Sequence, residues 1–456
     1  MASLFQDRGQ EKIRLLDAGA GVGVLSIAFL EKFGASSRKQ IELLAYEFDG
    51  NIASTLKSNL AESAYHLTAK GVATTFEIIE GDFIREGVIS YMFGRHKPAD
   101  FAILNPPYRK INTDSQHRRL LGRVGIETVN LYSGFVALSI LLLKEEGELV
   151  AIIPRSFCNG PYYRPFREFL LRETAIKQIH IFGARNKAFK EDSVLQENVI
   201  IHLMKNAPQG KVKISSSSDD SFEDYAEFIL PFEKIVPNGD PEKFIHIPTS
   251  ENGNHIAGYE KFIYSLSDIG VEVSTGPVVD FRVKEFLRNE PDEETVPLLY
   301  PAHFGEKSIN WPKSNFKKSN ALVIAPETSR QLFPMGCYTL VRRFSAKEEK
   351  RRIVARVVTP NDLEYEYLGF ENHLNVFHHR KKGLPEELAL GLAVYLNSTL
   401  VDDYFRQFNG HTQVNATDLR LLKYPSKTVL FELGKWAAIL PNFNQDLIDT
   451  KISSLL

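Results

Sequence analysis

The chain has 456 residues, enough for two or three domains with cores of their own. Apolar residues make up 43% and charged residues 25%, ordinary values for a globular protein, and the longest central apolar run, 136–143, is too short to span a bilayer. A net charge of −2 does not mark a nucleic-acid binder, so any such contact must come from local patches.

The two cysteines, Cys158 and Cys337, lie too far apart for a disulfide framework or a zinc cluster, and no metal site is expected. The first residues lack a basic-then-apolar layout, so a cytoplasmic protein with no membrane partner is expected.

Runs rich in Ile, Leu, Val or Phe at 13–18, 41–48, 75–80, 101–104, 148–153, 176–182 and 198–204 predict buried strands. Between them, 24–33, 51–60, 131–144 and 165–173 predict helices. This alternation predicts an α/β domain over 1–205 with a largely parallel sheet, whose ligands bind beyond the carboxyl ends of the strands. Residues 206–240 contain Pro208, Gly210 and four consecutive serines before two aspartates, which predicts a linker. Residues 241–456 predict a second, mixed α+β domain, with short apolar runs and clusters of Lys and Arg.

The first strand ends in Asp17, Ala18, Gly19, Ala20, Gly21, Val22 and Gly23, where glycines permit a tight turn and a close backbone approach to a ligand. Dinucleotide enzymes and ordinary turns share that pattern. The second strand ends in Glu47, Phe48 and Asp49, a little over 20 residues on, near the spacing of an acid that holds ribose hydroxyls. Asp49 equally suits a helix cap. Asp82 and Phe83 close the third strand, where the acid can accept an adenine amine and the ring can pack against the base.

The fourth strand ends in Asn105, Pro106, Pro107 and Tyr108. Neither proline has an N–H, so this backbone offers carbonyl oxygens without competing donors. The Asn105 side-chain oxygen and the Pro106 carbonyl can each accept one hydrogen of an NH2 group, and Tyr108 offers a flat face for a planar base or amide. An aryl amine is a weak nucleophile because its lone pair is delocalised. Two acceptors return electron density to nitrogen and aim it at an electrophilic methyl, so the rate comes from orientation and electrostatics.

The ordered set Asp17–Gly23, Glu47, Asp82 and Asn105–Tyr108 resembles the amino-methyltransferases, and in this order it is similar to the gamma-class DNA adenine-N6 methyltransferases of restriction–modification systems. The resemblance implies a Rossmann-like S-adenosylmethionine-dependent catalytic domain followed by an α+β target-recognition domain. It implies cofactor contacts from Asp17, Ala18, Gly19, Gly21, Gly23, Glu47, Phe48, Asp82, Phe83 and Asn105. It also implies an adenine flipped out of double-stranded DNA, since the amine is unreachable inside the stack. The likeness extends to Phe189, which would face Tyr108 across the base; a core phenylalanine fits that position as well. A separately encoded restriction endonuclease and a monomer on DNA are further implications. Family members usually carry a segment before the glycine motif, and residues 1–5 resemble its tail end, so a truncated start and weak cofactor binding are expected.

Basic residues then mark candidate DNA contacts: Arg109, Lys110, Arg118 and Arg119 in a loop after the Asn-Pro-Pro-Tyr turn, and Arg342, Arg343, Arg351 and Arg352 in the second domain. Gln413 and Asn415 have side chains suited to base edges, though a turn suits them too. Three alternatives stay open: an RNA adenine substrate, a protein glutamine substrate whose amide fits the same acceptors, and a DNA-binding module with weakened catalysis.

Overall fold

A computed structural model describes all residues except 36–39, 183–196, 220, 249–257, 347–348, 410–411 and 443. The chain divides into two compact units, Met1–Glu251 and Asn252–Leu456.

In the first unit the strands are β1 (Lys12–Ala18), β2 (Gln40–Glu47), β3 (Ala73–Glu80), β4 (Ala99–Leu104), β5 (Leu143–Pro154), β6 (Thr174–Phe182), β7 (Asn198–Lys205), β8 (Val212–Ser217) and β9 (Ala226–Leu230). They form one sheet in the order β3-β2-β1-β4-β5-β7-β6-β8-β9. Neighbours from β3 to β5 are parallel, and β7 runs antiparallel to both β5 and β6. The helices are α1 (Val24–Gly34), α2 (Gly50–Ala69), α3 (Phe83–Met92), α4 (Gln116–Arg123), α5 (Leu131–Leu142) and α6 (Arg164–Glu173).

Side chains alternate across the pleat, so each parallel strand feeds two cores. Leu15, Leu43, Phe101 and Val150 pack with Phe29 and Phe33 of α1 and Leu56 and Leu60 of α2. Leu16, Ala102, Leu104 and Ala151 pack on the opposite face with Phe83 of α3 and Phe135 and Leu138 of α5. Phe5 belongs to the first core, edge-on to Phe29 and Phe101 at ring separations of 5.6 and 5.2 Å.

Two expectations are corrected here. Residues 206–240 do not form a linker: β8 pairs in parallel with β6, and β9 with β8. The run of serines read as loop composition, yet Ser215 and Ser217 are buried and hydrogen-bonded to His180 at 3.0 and 3.1 Å. That pairing satisfies hydroxyls inside a sheet. The basic segment after Tyr108 is not a loop throughout either, because α4 carries Arg118 and Arg119, with Ser115 accepting from the Arg118 N–H at 3.2 Å as its N-cap.

The second unit is α+β. Its strands are β10 (Glu272–Thr275), β11 (Leu287–Arg288), β12 (Thr295–Leu299), β13 (Ala321–Val323), β14 (Leu332–Pro334), β15 (Tyr338–Arg342), β16 (Ala355–Val358), β17 (Tyr367–Phe370) and β18 (Leu374–His378). They form two sheets, β10-β18-β15-β16 and β11-β13-β12-β17-β14, followed by helices that include Glu386–Leu396, Thr399–Phe408, Ala416–Leu421, Lys427–Ala438 and Gln445–Ser453. Among the described residues no helix is long and apolar enough to cross a membrane, and no acid, His or Cys cluster could hold a metal ion.

Candidate active site

The strand order reverses between β1 and β4, which opens a crevice at their carboxyl ends. Asp17 of β1 lies opposite Ile103 of β4, so the glycine turn and Asn105 leave the sheet side by side.

In that turn the Gly19 and Ala20 N–H groups donate to the Tyr46 carbonyl at 3.0 and 2.9 Å. Gly21 and Gly23 have φ of +56° and +93°, backbone that L side chains rarely adopt. A Cβ on Gly23 would also stand 2.8 Å from Leu56 Cδ1, so the leucine tip would have to shift to admit one. The Glu47 carboxylate accepts from the Gly21 N–H at 2.8 Å and, through its other oxygen, from the Asp49 N–H at 2.9 Å. Two backbone donors thereby fix an anion against the glycine turn. Beside it the Phe48 ring is 78% exposed.

Asp49 caps α2, accepting from the Asn51 N–H at 2.8 Å. Asp17 is buried, and its Oδ2 accepts from the Ser26 hydroxyl at 2.6 Å, tying β1 to α1. Burial pushes its carboxyl up to about 7, with the Glu47 charge adding to the rise. Its place is thus beneath the turn. Phe83 is likewise a core residue, with its ring 5.0 Å from Tyr46 and 4.9 Å from Phe135, not an open platform.

Asp82 has two tasks. Its Oδ1 caps α3 by accepting from the Ile84 and Arg85 N–H groups at 2.9 and 3.2 Å, and its Oδ2 meets His117 Nε2 of α4. His117 lay in the sequence among basic residues and carried no signal of this role.

At the end of β4, Pro106 is buried while Asn105 and Pro107 are exposed. Leu104 pairs with Ala151, which brings β5 alongside the turn. The Tyr108 hydroxyl donates to the Ile152 carbonyl at 3.1 Å and lies 3.3 Å from Asn105 Oδ1. Its ring stands edge-on to Tyr132 at 6.2 Å, and Tyr132 stacks on Tyr163 at 5.7 Å. Both tyrosines behind Tyr108 escaped the sequence reading, since only the fold brings α5 and the 161–163 turn to β4. Phe189 lies outside the described residues.

Of the remaining candidates, Arg109, Lys110 and Arg119 are exposed, and Arg118 lies 3.9 Å from Glu127. In the second unit Arg343 donates to the Asn372 carbonyl at 3.1 Å and to Gln413 Oε1 at 3.4 Å. Arg342 pairs with Glu349, and Arg351 donates to the Ser398 carbonyl at 2.7 Å.

One candidate is corrected. Arg352 is 1% exposed and donates to Ser345 Oγ at 3.0 Å and Asn409 Oδ1 at 2.8 Å, so it braces the interior and cannot reach a phosphate. Asn415 is half-buried at the start of the helix Ala416–Leu421, its N–H donating to Asp418 at 2.9 Å and its side-chain amide at 3.3 Å from the same oxygen.

The first unit has the Rossmann-like fold of S-adenosylmethionine-dependent methyltransferases. The fold of the chain matches the structure of the type IIL restriction-modification enzyme MmeI in complex with DNA, with a TM-score of 0.56 and 13% identity, covering 97% of this chain and 70% of that one. Residues 28–189 match the family described as Eco57I restriction-modification methylase. The whole chain is 50% identical to the type II methyltransferase M.BsuBI of Bacillus subtilis and 45% identical to M.PstI of Providencia stuartii, covering 91% and 90% of them. This chain belongs to the type II methyltransferases of restriction–modification systems.

Proposed function

We propose that the chain transfers the methyl of S-adenosylmethionine to the N6 amine of an adenine flipped out of a specific double-stranded DNA sequence. The observation that carries this reading is the Asn105–Tyr108 turn at the carboxyl edge of β4, beside the glycine turn of β1. The residues present fit the cofactor: Glu47 stands fixed where ribose hydroxyls would need an acceptor, Phe48 offers an exposed ring, and the glycine backbone leaves room for close approach. When bound, the cofactor supplies an electrophilic methyl on a sulfonium.

The chain's own residues do the rest. Asn105 Oδ1 and the Pro106 carbonyl accept the two amine hydrogens and orient the nitrogen lone pair. Tyr108, tethered to the Ile152 carbonyl, holds the base plane. No strong base is required, because the amine proton becomes acidic only as the C–N bond forms. Catalysis rests on positioning.

The test is methyl transfer from labelled S-adenosylmethionine to genomic DNA, followed by sequencing that detects N6-methyladenine. Methylation confined to one short motif is the expected result. A label on cytosine, or no transfer to DNA, would refute the reading.

A further inference from the structure

We infer that a cavity in the second unit, lined by Arg342, Lys350, Arg351 and Arg356, is a binding site for a phosphate group. The cavity has a volume of about 350 Å³, at the lower end of the roughly 300–1,000 Å³ typical of ligand sites. Among the described lining residues four cations stand with one carboxylate, Glu349, which is held by Arg342 and by the Ala346 N–H at 2.8 Å.

Asp402, Asp449 and Asp403 lie near enough to act on Arg351, and Glu306 on Arg356, but the first two are already held by other donors. Asp402 accepts from Arg406 at 2.8 Å and from the Arg352 and Ile353 N–H groups, and Asp449 accepts from Thr399 and Gln445. The Nε atoms of Arg342 and Arg351 are buried without a hydrogen-bond partner. Burial also draws the Arg351 and Arg356 guanidinium groups below the ordinary arginine range. A cluster of cations, with Arg351 and Arg356 desolvated and an unused Nε on Arg342 and Arg351, is stabilised by an anion that accepts several hydrogen bonds at once. A phosphate does this, and guanidinium forks match its oxygens in pairs.

The phosphate can be a backbone phosphodiester of DNA, in which case the inference rests on the function proposed above, or part of a free phosphate compound. The test uses the full chain and Lys350→Glu, a variant whose side chain is exposed while its carbonyl receives Arg406. Millimolar pyrophosphate is expected to raise the unfolding temperature of the unaltered chain by about 2 °C or more over chloride at equal ionic strength. Lys350→Glu is expected to abolish that shift and, on duplex DNA, to flatten the dependence of log affinity on log salt by at least about 1.

A lower salt slope identifies the DNA backbone as the occupant. A lost pyrophosphate shift with an unchanged slope identifies a free phosphate compound. If the unaltered chain shows no pyrophosphate shift and the variant keeps the slope, the inference is overturned. If the unaltered chain methylates no DNA yet shows a pyrophosphate shift that Lys350→Glu removes, the proposed function fails while the phosphate site stands.

Discussion

Tyr108 separates two contributions that a single truncation would merge. Its hydroxyl donates to the Ile152 carbonyl at 3.1 Å and lies 3.3 Å from Asn105 Oδ1, while in the proposed function its ring holds the base. Tyr108→Phe keeps the ring and removes one neutral hydrogen bond, a net loss of about 0.5–1.5 kcal/mol, which corresponds to a roughly two- to tenfold lower rate. Tyr108→Ala also removes stacking worth about 1–3 kcal/mol per base, a further loss of roughly 5- to 150-fold. The assay is single-turnover methyl transfer to a duplex carrying the target site, with cofactor affinity measured separately by calorimetry. The expected order is unaltered chain, then Phe, then Ala, with cofactor affinity nearly constant across all three. A Phe variant as slow as the Ala variant would show that the hydroxyl, not the ring, carries the effect, and would refute the stacking role. Cofactor affinity falling in step with the rate would refute the separation of sites.

Glu47→Ala is expected to weaken cofactor binding at least about tenfold, since it removes an anion held by two backbone N–H groups; unchanged calorimetric affinity would move the ribose elsewhere. His117→Ala frees Asp82 Oδ2 of a partly exposed hydrogen-bond partner, and cofactor affinity is expected to rise by up to about fivefold. Weaker binding would show that His117 helps the cofactor rather than competing for the oxygen. Arg352→Ala is expected to destabilise the second unit by more than about 3 kcal/mol, seen as a lower unfolding temperature. The Asp17 carboxyl, raised by burial from 3.8 to about 7, keeps in the folded chain a proton that the unfolded chain releases above pH 3.8. Its stabilising contribution is therefore full below pH 3.8 and lost as pH rises through 7, and Asp17→Asn is expected to flatten denaturation midpoints across that window.

The central parallel strands were legible because buried strands need apolar residues on both faces, and the turn after β4 because two prolines follow an apolar strand. What escaped has physical causes. Helix α4 buries only Leu120 and Leu121, and its arginines mask that short apolar stripe. Strand β8 reads as polar because its serines find partners in His180, which lies 35 and 37 residues earlier. The depth of Asp17 was hidden for a related reason: a carboxylate at a strand end gives no sign in the sequence of its burial or of its bond to Ser26.

The basic stretch of the second unit shows the limit most clearly. Charge counted along the sequence treats every arginine as surface, because burying a cation without a partner is costly. Here the partners are neutral oxygens distant in sequence: Asn409 for Arg352, the Ser398 carbonyl for Arg351 and the Asn372 carbonyl for Arg343. Arg352 is fully absorbed by them, whereas Lys350 projects into solvent two residues before it. A change at Arg352 should therefore alter stability and leave the salt dependence of DNA binding intact, while a change at Lys350 should do the opposite. Charge reversal at both positions would merge the two effects, so only the separate variants distinguish an interior brace from a phosphate contact.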